Sequence, residues 1–347
     1  MDKIKLGRTN LMVTRSGFGA LPVQRVSFDE AKNILRKAYD NGINFFDTAR
    51  AYSDSEEKIG YSLADVRKNI IIATKTHAKD RKTLLEHLQT SLKNLKTDYI
   101  DIYQLHNPDV LPDPKDPEGL YAGLLEAKKK GLIRFIGITN HKLKNAMDAA
   151  ASGLYDTIQF PLCSLSSDDD LLLIKECKKR NIGLIAMKAL SGGVITDASS
   201  AFAFLRQFDN VVPIWGIQRE TELDEFITLE KNPPLLDDIM WSIINKDRSE
   251  LSGDFCRGCG YCLPCPAGIE IPTSARISLL LKRAPYQGFL DDSFKEKMEL
   301  INNCIQCGHC KNHCPYKLDT PNLLKRELKN YSEFYAKHKI FSLKNYK

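Results

Sequence analysis

Apolar and polar positions follow two different periods along the first two thirds of the chain. Eight short, mostly apolar runs recur: Ser16–Ala20, Asn44–Thr48, Ile70–Lys75, Tyr99–His106, Arg134–Asn140, Asp156–Phe160, Gly183–Lys188 and Val211–Ile217. Between them lie stretches with helical periodicity, clearest at Phe28–Asp40, Lys82–Leu95 and Gly119–Lys130. Short continuous apolar runs read as strands covered on both faces, and their alternation with amphipathic helices argues for a parallel sheet. Eight strand–helix units predict an α/β fold closed into a (β/α)8 TIM barrel. No Gly-x-Gly-x-x-Gly follows the first strand, which argues against an open dinucleotide-binding sheet. The pattern changes near Pro233-Pro234. The expected organisation is a barrel over residues 1–235, a connector over 236–254 that includes the polar stretch Lys246–Asp254, and a second domain over 255–347. Within that domain Ile271–Asn303 has helical periodicity, including Ser278–Lys282 and Phe294–Ile301. Pro321–Lys347 reads as a helix that is first basic and then aromatic, expected to pack back on the protein.

Composition narrows the class. The chain has 347 residues, 43% of them hydrophobic and 27% charged, enough for a sizeable core and ordinary for a soluble protein. No apolar run approaches the ~20 residues of a membrane helix. The start, Met1-Asp2-Lys3-Ile4, lacks the apolar centre of a signal peptide. A cytoplasmic protein with no membrane and no nucleic-acid partner is expected. The net charge of +6 reads as a solvated surface, and it also suits docking of an acidic electron carrier.

Cysteine spacing carries the most specific chemistry. Eight of the ten cysteines fall in two runs, Cys256, Cys259, Cys262 and Cys265 before Pro266, and Cys304, Cys307, Cys310 and Cys314 before Pro315. The second run is C-x2-C-x2-C-x3-C-P, the spacing of bacterial [4Fe–4S] ferredoxins; the first is one residue shorter before its last cysteine. Three thiolates from one tight loop wrap a cluster and the fourth comes from elsewhere, in two-cluster ferredoxins from the opposite run. The expected sets are Cys256, Cys259, Cys262 and Cys314 for one [4Fe–4S] cluster, and Cys304, Cys307, Cys310 and Cys265 for the other. Gly258, Gly260 and Gly308 suit the tight backbone of such loops. Structural zinc and disulfides are the competing readings. Two overlapping triplets fit zinc poorly, and a reducing compartment disfavours disulfides. Cys163 and Cys177 are read as packing residues, and His77 and His141 as loop histidines.

In the barrel, Asp47, Lys75, His106 and Asn140 end predicted strands two to five, the face that carries chemistry in such barrels. At these residues the chain resembles the aldo-keto reductases. The resemblance rests on Asn44-Phe45-Phe46-Asp47-Thr48-Ala49 with Tyr52, Ser55-Glu56 through Ile59-Gly60, Thr74-Lys75, Asp101-Ile102-Tyr103-Gln104-Leu105-His106 and Ile136-Gly137-Ile138-Thr139-Asn140. These run in order over roughly residues 1–230.

The resemblance implies a catalytic tetrad of Asp47, Tyr52, Lys75 and His106. Elementary electrostatics supports the roles. The Lys75 ammonium would lower the pKa of the Tyr52 phenol, Asp47 would hold Lys75, and His106 would polarise a carbonyl oxygen that Tyr52 protonates. The resemblance also assigns cofactor contacts. Thr139, Asn140 and Gln159 would hold a nicotinamide carboxamide, and Leu190 and Gly192 would approach a pyrophosphate. Gly216, Gln218 and Arg219 would begin the adenosine loop. Met187 stands where many members stack an aromatic on the nicotinamide, which leaves room for a flavin. Met187-Lys188 is similar to the branch with ferredoxin-like tails. Glu222 stands where NADP-dependent members carry an Arg; an acid suits a free ribose hydroxyl better than a 2′-phosphate, with Arg219 or Lys188 as the compensating cations. The cofactor is thus NADP(H) or NAD(H).

The expected function is a carbonyl-reducing, alcohol-oxidising reductase with a small-molecule substrate and a ferredoxin or flavodoxin electron partner. Two alternatives stay open: a ferredoxin- or flavin-linked reductase that does not use nicotinamide, and a non-catalytic redox-sensing module with structural clusters.

Overall fold

The computed structural model describes residues 1–251, 255–283 and 286–344, with side chains to residue 338. It contains two compact units. One comprises Met1–Ala189 with Asp197–Ile244; the other comprises Leu190–Thr196 with Asn245–Lys347.

The first unit opens with an antiparallel hairpin, β1 (Lys3–Lys5) and β2 (Met12–Thr14). Eight parallel strands follow: β3 (Gly17–Gly19), β4 (Phe45–Asp47), β5 (Ile71–Thr76), β6 (Ile100–His106), β7 (Ile133–Thr139), β8 (Thr157–Pro161), β9 (Gly183–Met187) and β10 (Val211–Gly216). Each pairs with the next, and β10 closes on β3 through Ile214 opposite Gly17, so the sheet is a closed barrel. The expected (β/α)8 architecture is therefore observed. The helices between strands are α1 (Phe28–Asp40), α2 (Ser55–Leu63), α3 (Arg81–Asn94), α4 (Leu120–Lys129), α5 (Leu143–Ser152), α6 (Asp168–Lys179), α7 (Ala198–Arg206) and α8 (Glu220–Lys231). Local chemistry sets their ends. Ser27 accepts the Glu30 backbone N–H while Glu30 returns to the Ser27 N–H, a capping box that starts α1 where the periodicity begins.

The hairpin was not read from the sequence. Its strands have three residues each and alternate like surface. Its contribution lies in Leu6, Leu11 and Val13, which join Phe45, Ile71, Ala73, Ile102, Ile185, Val212 and Ile214 in one buried core cluster. The close approach of α2 to α3 depends on Gly60. A Cβ there would stand 2.2 Å from the Asn94 carbonyl oxygen.

Residues 236–254 depart from the expected connector. They hold a 13-residue helix, α9 (Asp238–Glu250), and the division between the two units falls inside it. Asp237 starts this helix by accepting the Met240 N–H at 2.9 Å. Of the polar stretch Lys246–Asp254, the residues to Glu250 belong to this helix, and 252–254 lie outside the described residues.

The second unit is mainly helical. It contains α10 (Ile271–Ser274), α11 (Ile277–Arg283), α12 (Asp292–Glu299), α13 (His309–Asn312) and the long α14 (Thr320–Lys344), matching the helical segments expected between and after the cysteine runs. Its core joins Ile269, Ile271, Ile277, Met298, Ile301 and Leu324 to Cys256, Cys262 and Cys310. Tyr331 is buried there and donates to the Phe289 carbonyl at 2.8 Å, so the first half of the tail packs back on its own unit. Phe341 lies beyond the described side chains and Tyr346 beyond the described residues.

Candidate active site and cysteine centre

Strand register assembles the barrel site. Lys75 lies opposite Gln104, and Thr139 pairs with both His106 and Gln159. Asp47 ends β4, and Tyr52 sits in the loop that follows. At the centre Lys75 Nζ donates to Asp47 Oδ1 and to the Thr48 carbonyl, each at 2.6 Å. Both side chains are almost wholly buried. Gln104 and Gln159 donate to the same carboxylate at 3.3 and 3.5 Å, and Gln104 also donates to Gln159 Oε1 at 3.0 Å. Burial pushes the Asp47 carboxyl up, and the Lys75 ammonium with the two amides pulls against it. A buried charge kept in this way needs its partner.

Two of the three Lys75 donors are thus engaged. Lys75 Nζ also lies 5.2 Å from the centre of the Tyr52 ring. The net effect on Tyr52 is the reverse of the sequence expectation. Burial raises the phenol pKa by more than Lys75 lowers it, and Asp47 adds to the rise. Tyr52 therefore holds its proton firmly at neutral pH. His106 meets the Tyr52 ring edge-on, with centres 5.8 Å apart. Its pKa falls well below the usual histidine value through burial, with Lys75, His77 and His141 adding to the fall, so the ring is neutral. Its Nδ1 is buried without a hydrogen-bond partner.

His77 was read as a loop histidine, yet it stacks on His106 with ring centres 3.9 Å apart. Both rings line a cleft of about 880 Å³ with Lys79, Val110, Leu111 and Pro112. Spacing alone does not reveal such stacking, because it arises from the turn after β5. Gln104 was also missed as a site residue. Its signal was a polar side chain between Tyr103 and Leu105 in a strand covered on both faces, and it is fully buried. His141 is buried, and its pKa is likewise well below normal. Cys177 is buried as expected, with its thiol pushed up to about 12. Cys163 is partly buried.

The expected carboxamide holders are buried and already engaged within the barrel. Thr139 Oγ1 accepts the Asn107 N–H at 3.1 Å; Asn140 Nδ2 donates to the Pro108 carbonyl and its Oδ1 accepts the Lys142 N–H. An amide offers two N–H groups and two lone pairs, so Asn140 and Gln159 retain capacity for a further amide. Met187 and Lys188 are partly buried at the end of β9, with Lys188 at φ +58. Leu190 and Gly192 fall in the other compact unit. There the chain turns through Ser191, Gly192 and Gly193, all with positive φ.

Gly216 and Arg219 are exposed and Gln218 is partly buried. Glu222 closes the start of α8. Its Oε2 accepts the backbone N–H of Gln218 and of Arg219 at 2.9 and 3.1 Å. Its Oε1 accepts Arg219 Nε and Nη2 at 2.9 and 2.7 Å. The Arg219 charge is thereby paired inside the chain.

In the second unit the cysteines gather. A small pocket is lined by Cys304, Cys307 and Cys310 together with Cys265 and Cys262, among Pro266, Ile269, Ile271 and Leu324. The last cysteine of the first run thus meets the first three of the second. Cys256 Sγ accepts the Gly258 N–H at 3.3 Å. Gly258, Gly260 and Gly308 all adopt positive φ, as the tight loops demand. Cys314 packs, partly buried, against the same core. Among the described residues no three His, Cys, Asp or Glu side chains are close enough to hold a single metal ion. A four-iron cluster takes its thiolates from further apart, and a soft-sulfur donor set in an apolar shell suits it.

Comparison with known proteins agrees with both halves. Residues 255–319 match the model of the 4Fe-4S dicluster domain. The aldo-keto reductase YhdN of Bacillus subtilis is 30% identical over 216 residues, 56% of this chain and 64% of that protein. The methylglyoxal reductase DkgA of Escherichia coli K12 is 36% identical over 151 residues, 42% of this chain and 52% of that protein. The chain thus spans less than two thirds of the length of either relative. An aldo-keto reductase from Klebsiella pneumoniae, solved in complex with NADPH, shares the fold with a TM-score of 0.62 at 19% identity, covering 71% of this chain and 94% of that one. Among the described residues no helix is long and apolar enough to cross a membrane. Residues 15–237 match the model of the aldo/keto reductase family, and the chain belongs to that oxidoreductase family.

Proposed function

We propose that the barrel reduces a small carbonyl compound, with Tyr52 as the acid that protonates the carbonyl oxygen. The observation that carries this reading is the buried Lys75–Asp47 pair at 2.6 Å, held under Tyr52 and beside a neutral His106. Lys75 stabilises the phenolate left when Tyr52 gives up its proton. Asp47, with Gln104 and Gln159 behind it, fixes Lys75. A neutral His106 has one ring N–H to donate to the carbonyl oxygen. Because Tyr52 begins protonated, the reductive direction is favoured near neutral pH. His77, stacked on His106, shapes the cleft that admits the substrate.

A nicotinamide, when bound, supplies the hydride. Asn140 and Gln159 have amide capacity for its carboxamide, and Thr139, next to Asn140 in the chain, lies opposite Gln159 in register. We favour NAD(H) over NADP(H). Glu222 neutralises Arg219 and occupies the N–H groups at the start of α8, which leaves little there for a 2′-phosphate.

The cysteine runs fit two [4Fe–4S] clusters, which supply one-electron exchange when present. The cavity that unites Cys265 with Cys304, Cys307 and Cys310 supports the crossed ligand set. A ferredoxin or flavodoxin is the matching class of partner. Hydride carries two electrons together and each cluster passes one, so exchange between the two needs an intermediary such as a flavin.

The test is an anaerobic titration of iron-loaded protein with NADH and then NADPH, after assay of iron, sulfide and flavin. Tighter binding of NADH and partial bleaching of the visible cluster absorbance support the coupled reading. NADH binding without bleaching would confine the clusters to a structural role, and no binding of either nucleotide would remove nicotinamide from the account.

A further inference from the structure

The pocket that gathers Cys262, Cys265, Cys304, Cys307 and Cys310 also has His309 in its wall. His309 Nε2 is buried and has no hydrogen-bond partner among the described residues. Buried ring nitrogens are normally paired, so an orphaned one asks for a group that the chain does not itself supply.

The local backbone fixes this imidazole. Gly308, at φ +74, turns the chain between Cys307 and Cys310, and His309 is the first residue of α13. His313 follows one helical turn later. Its ring stacks on that of His309, with centres 4.1 Å apart and planes at 29°. Its Nδ1 donates to the His309 carbonyl at 2.9 Å. One face of the His309 ring is thereby covered. The first cysteine run repeats the turn but not the residue: Gly260, at φ +84, precedes Tyr261 at the matching place. The imidazole between second and third thiols is particular to the second run.

The pocket's chemistry names the missing partner. Apart from thiols its wall includes Ile269, Ile271, Pro321 and Leu324, none of which offers a side-chain acceptor. Cluster sulfurs accept hydrogen bonds, and such bonds help to set the reduction potential. In apolar surroundings each bond is electrostatically stronger than in water. We propose that His309 donates a hydrogen bond from Nε2 to a sulfur of the cluster held by Cys304, Cys307, Cys310 and Cys265, and so raises that cluster's reduction potential. The inference rests on the crossed cluster reading above. Reduction adds one electron, so a donor stabilises the reduced form more than the oxidised one. His309 is not a ligand in this account. It sets the potential at which the cluster accepts an electron, and His313 holds its ring in place.

The test is an anaerobic potentiometric titration with dithionite at constant pH, followed by electron paramagnetic resonance, on iron-loaded wild type and His309→Phe. Phenylalanine keeps a ring to stack on His313 and removes the N–H. Reduction of one cluster should become about tenfold less favourable, a fall of roughly 60 mV for a one-electron couple, with the other potential and the iron content unchanged. His309→Gln, which returns an N–H donor, should recover part of the fall. A second readout needs no change at His309. With histidine isotope-labelled on its ring nitrogens, pulsed resonance of the reduced protein should show a weak nitrogen coupling that persists in His313→Phe. Should His309→Phe lose iron, this coupling decides. Unchanged potentials in an iron-loaded His309→Phe overturn the proposal, as do an equal fall at both clusters or the absence of the coupling. A wild type that binds no cluster would strike the cluster reading itself, and this inference with it.

Discussion

The barrel and the iron–sulfur unit hold their functional groups by different means. In the barrel, backbone ladders fix each strand, and register then brings Lys75 opposite Gln104 and Thr139 between His106 and Gln159. The proposed catalytic groups sit on a scaffold built by the strands themselves. The second unit has helices of four to eight residues around its thiols, with one long helix, α14, behind them. Its core includes the cysteines themselves. Ligation and folding are therefore expected to be one event there, as in other small metal domains, whereas in the barrel chemistry and folding are expected to be separable.

Removing the clusters should break this contrast most visibly. A Cys310→Ala variant, or anaerobic chelation of the wild type, should unfold the second unit, opening it to protease, while the barrel keeps its helical and strand signal. Limited proteolysis with circular dichroism checks this; a resistant second unit without iron would show that apolar packing alone holds it.

Within the barrel, the largest stability loss is expected at the buried pair. Lys75→Met leaves Asp47 charged or protonated without its partner, at a cost of about 3–5 kcal/mol. A shift of the denaturant midpoint measures it, and the iron content should not change. Gly60→Ala should cost about 1–3 kcal/mol, because the new methyl meets the Asn94 carbonyl at 2.2 Å and α2 must move off α3. A turnover assay separates the two: only Lys75→Met should abolish activity.

Acid acts through two buried histidines. His106 and His141 have folded pKa values well below their unfolded value of 6.5. As pH falls below about 6.5 the unfolded state takes up protons that the folded state refuses, so stability present above that pH is lost, by roughly 1 kcal/mol per histidine per pH unit. Barrel Tm followed from pH 8 to pH 5 checks the sign, and His141→Asn should flatten the slope.

Legibility followed the same division. Continuous apolar runs gave away the strands because parallel strands are covered on both faces, and Ser27 with Glu30 marked the start of α1. The cysteine spacing was legible because thiolate geometry tolerates few alternatives. What escaped was local or three-dimensional. The hairpin strands are too short to show a period, although Leu6, Leu11 and Val13 are core residues. Residues 236–254 read as linker by their polarity, yet Asp237 caps a helix there and Asp247 pairs with Arg283. Lys75 lowers the Tyr52 pKa as expected, but the net shift is upward, because sequence shows the charge of Lys75 and not the desolvation of the phenol. The stacking of His77 on His106, and of His313 on His309, needs coordinates.

The central claim concerns Tyr52, and single-turnover reduction by the iron-loaded protein tests it most directly. With bound NADH and a small aldehyde as the first carbonyl probe, the rate of NADH oxidation is compared between wild type and Tyr52→Phe. The account predicts a rate lowered by about 10²–10⁴, with NADH affinity, iron content and Tm unchanged. A Tyr52→Phe protein that turns over at the wild-type rate would contradict it.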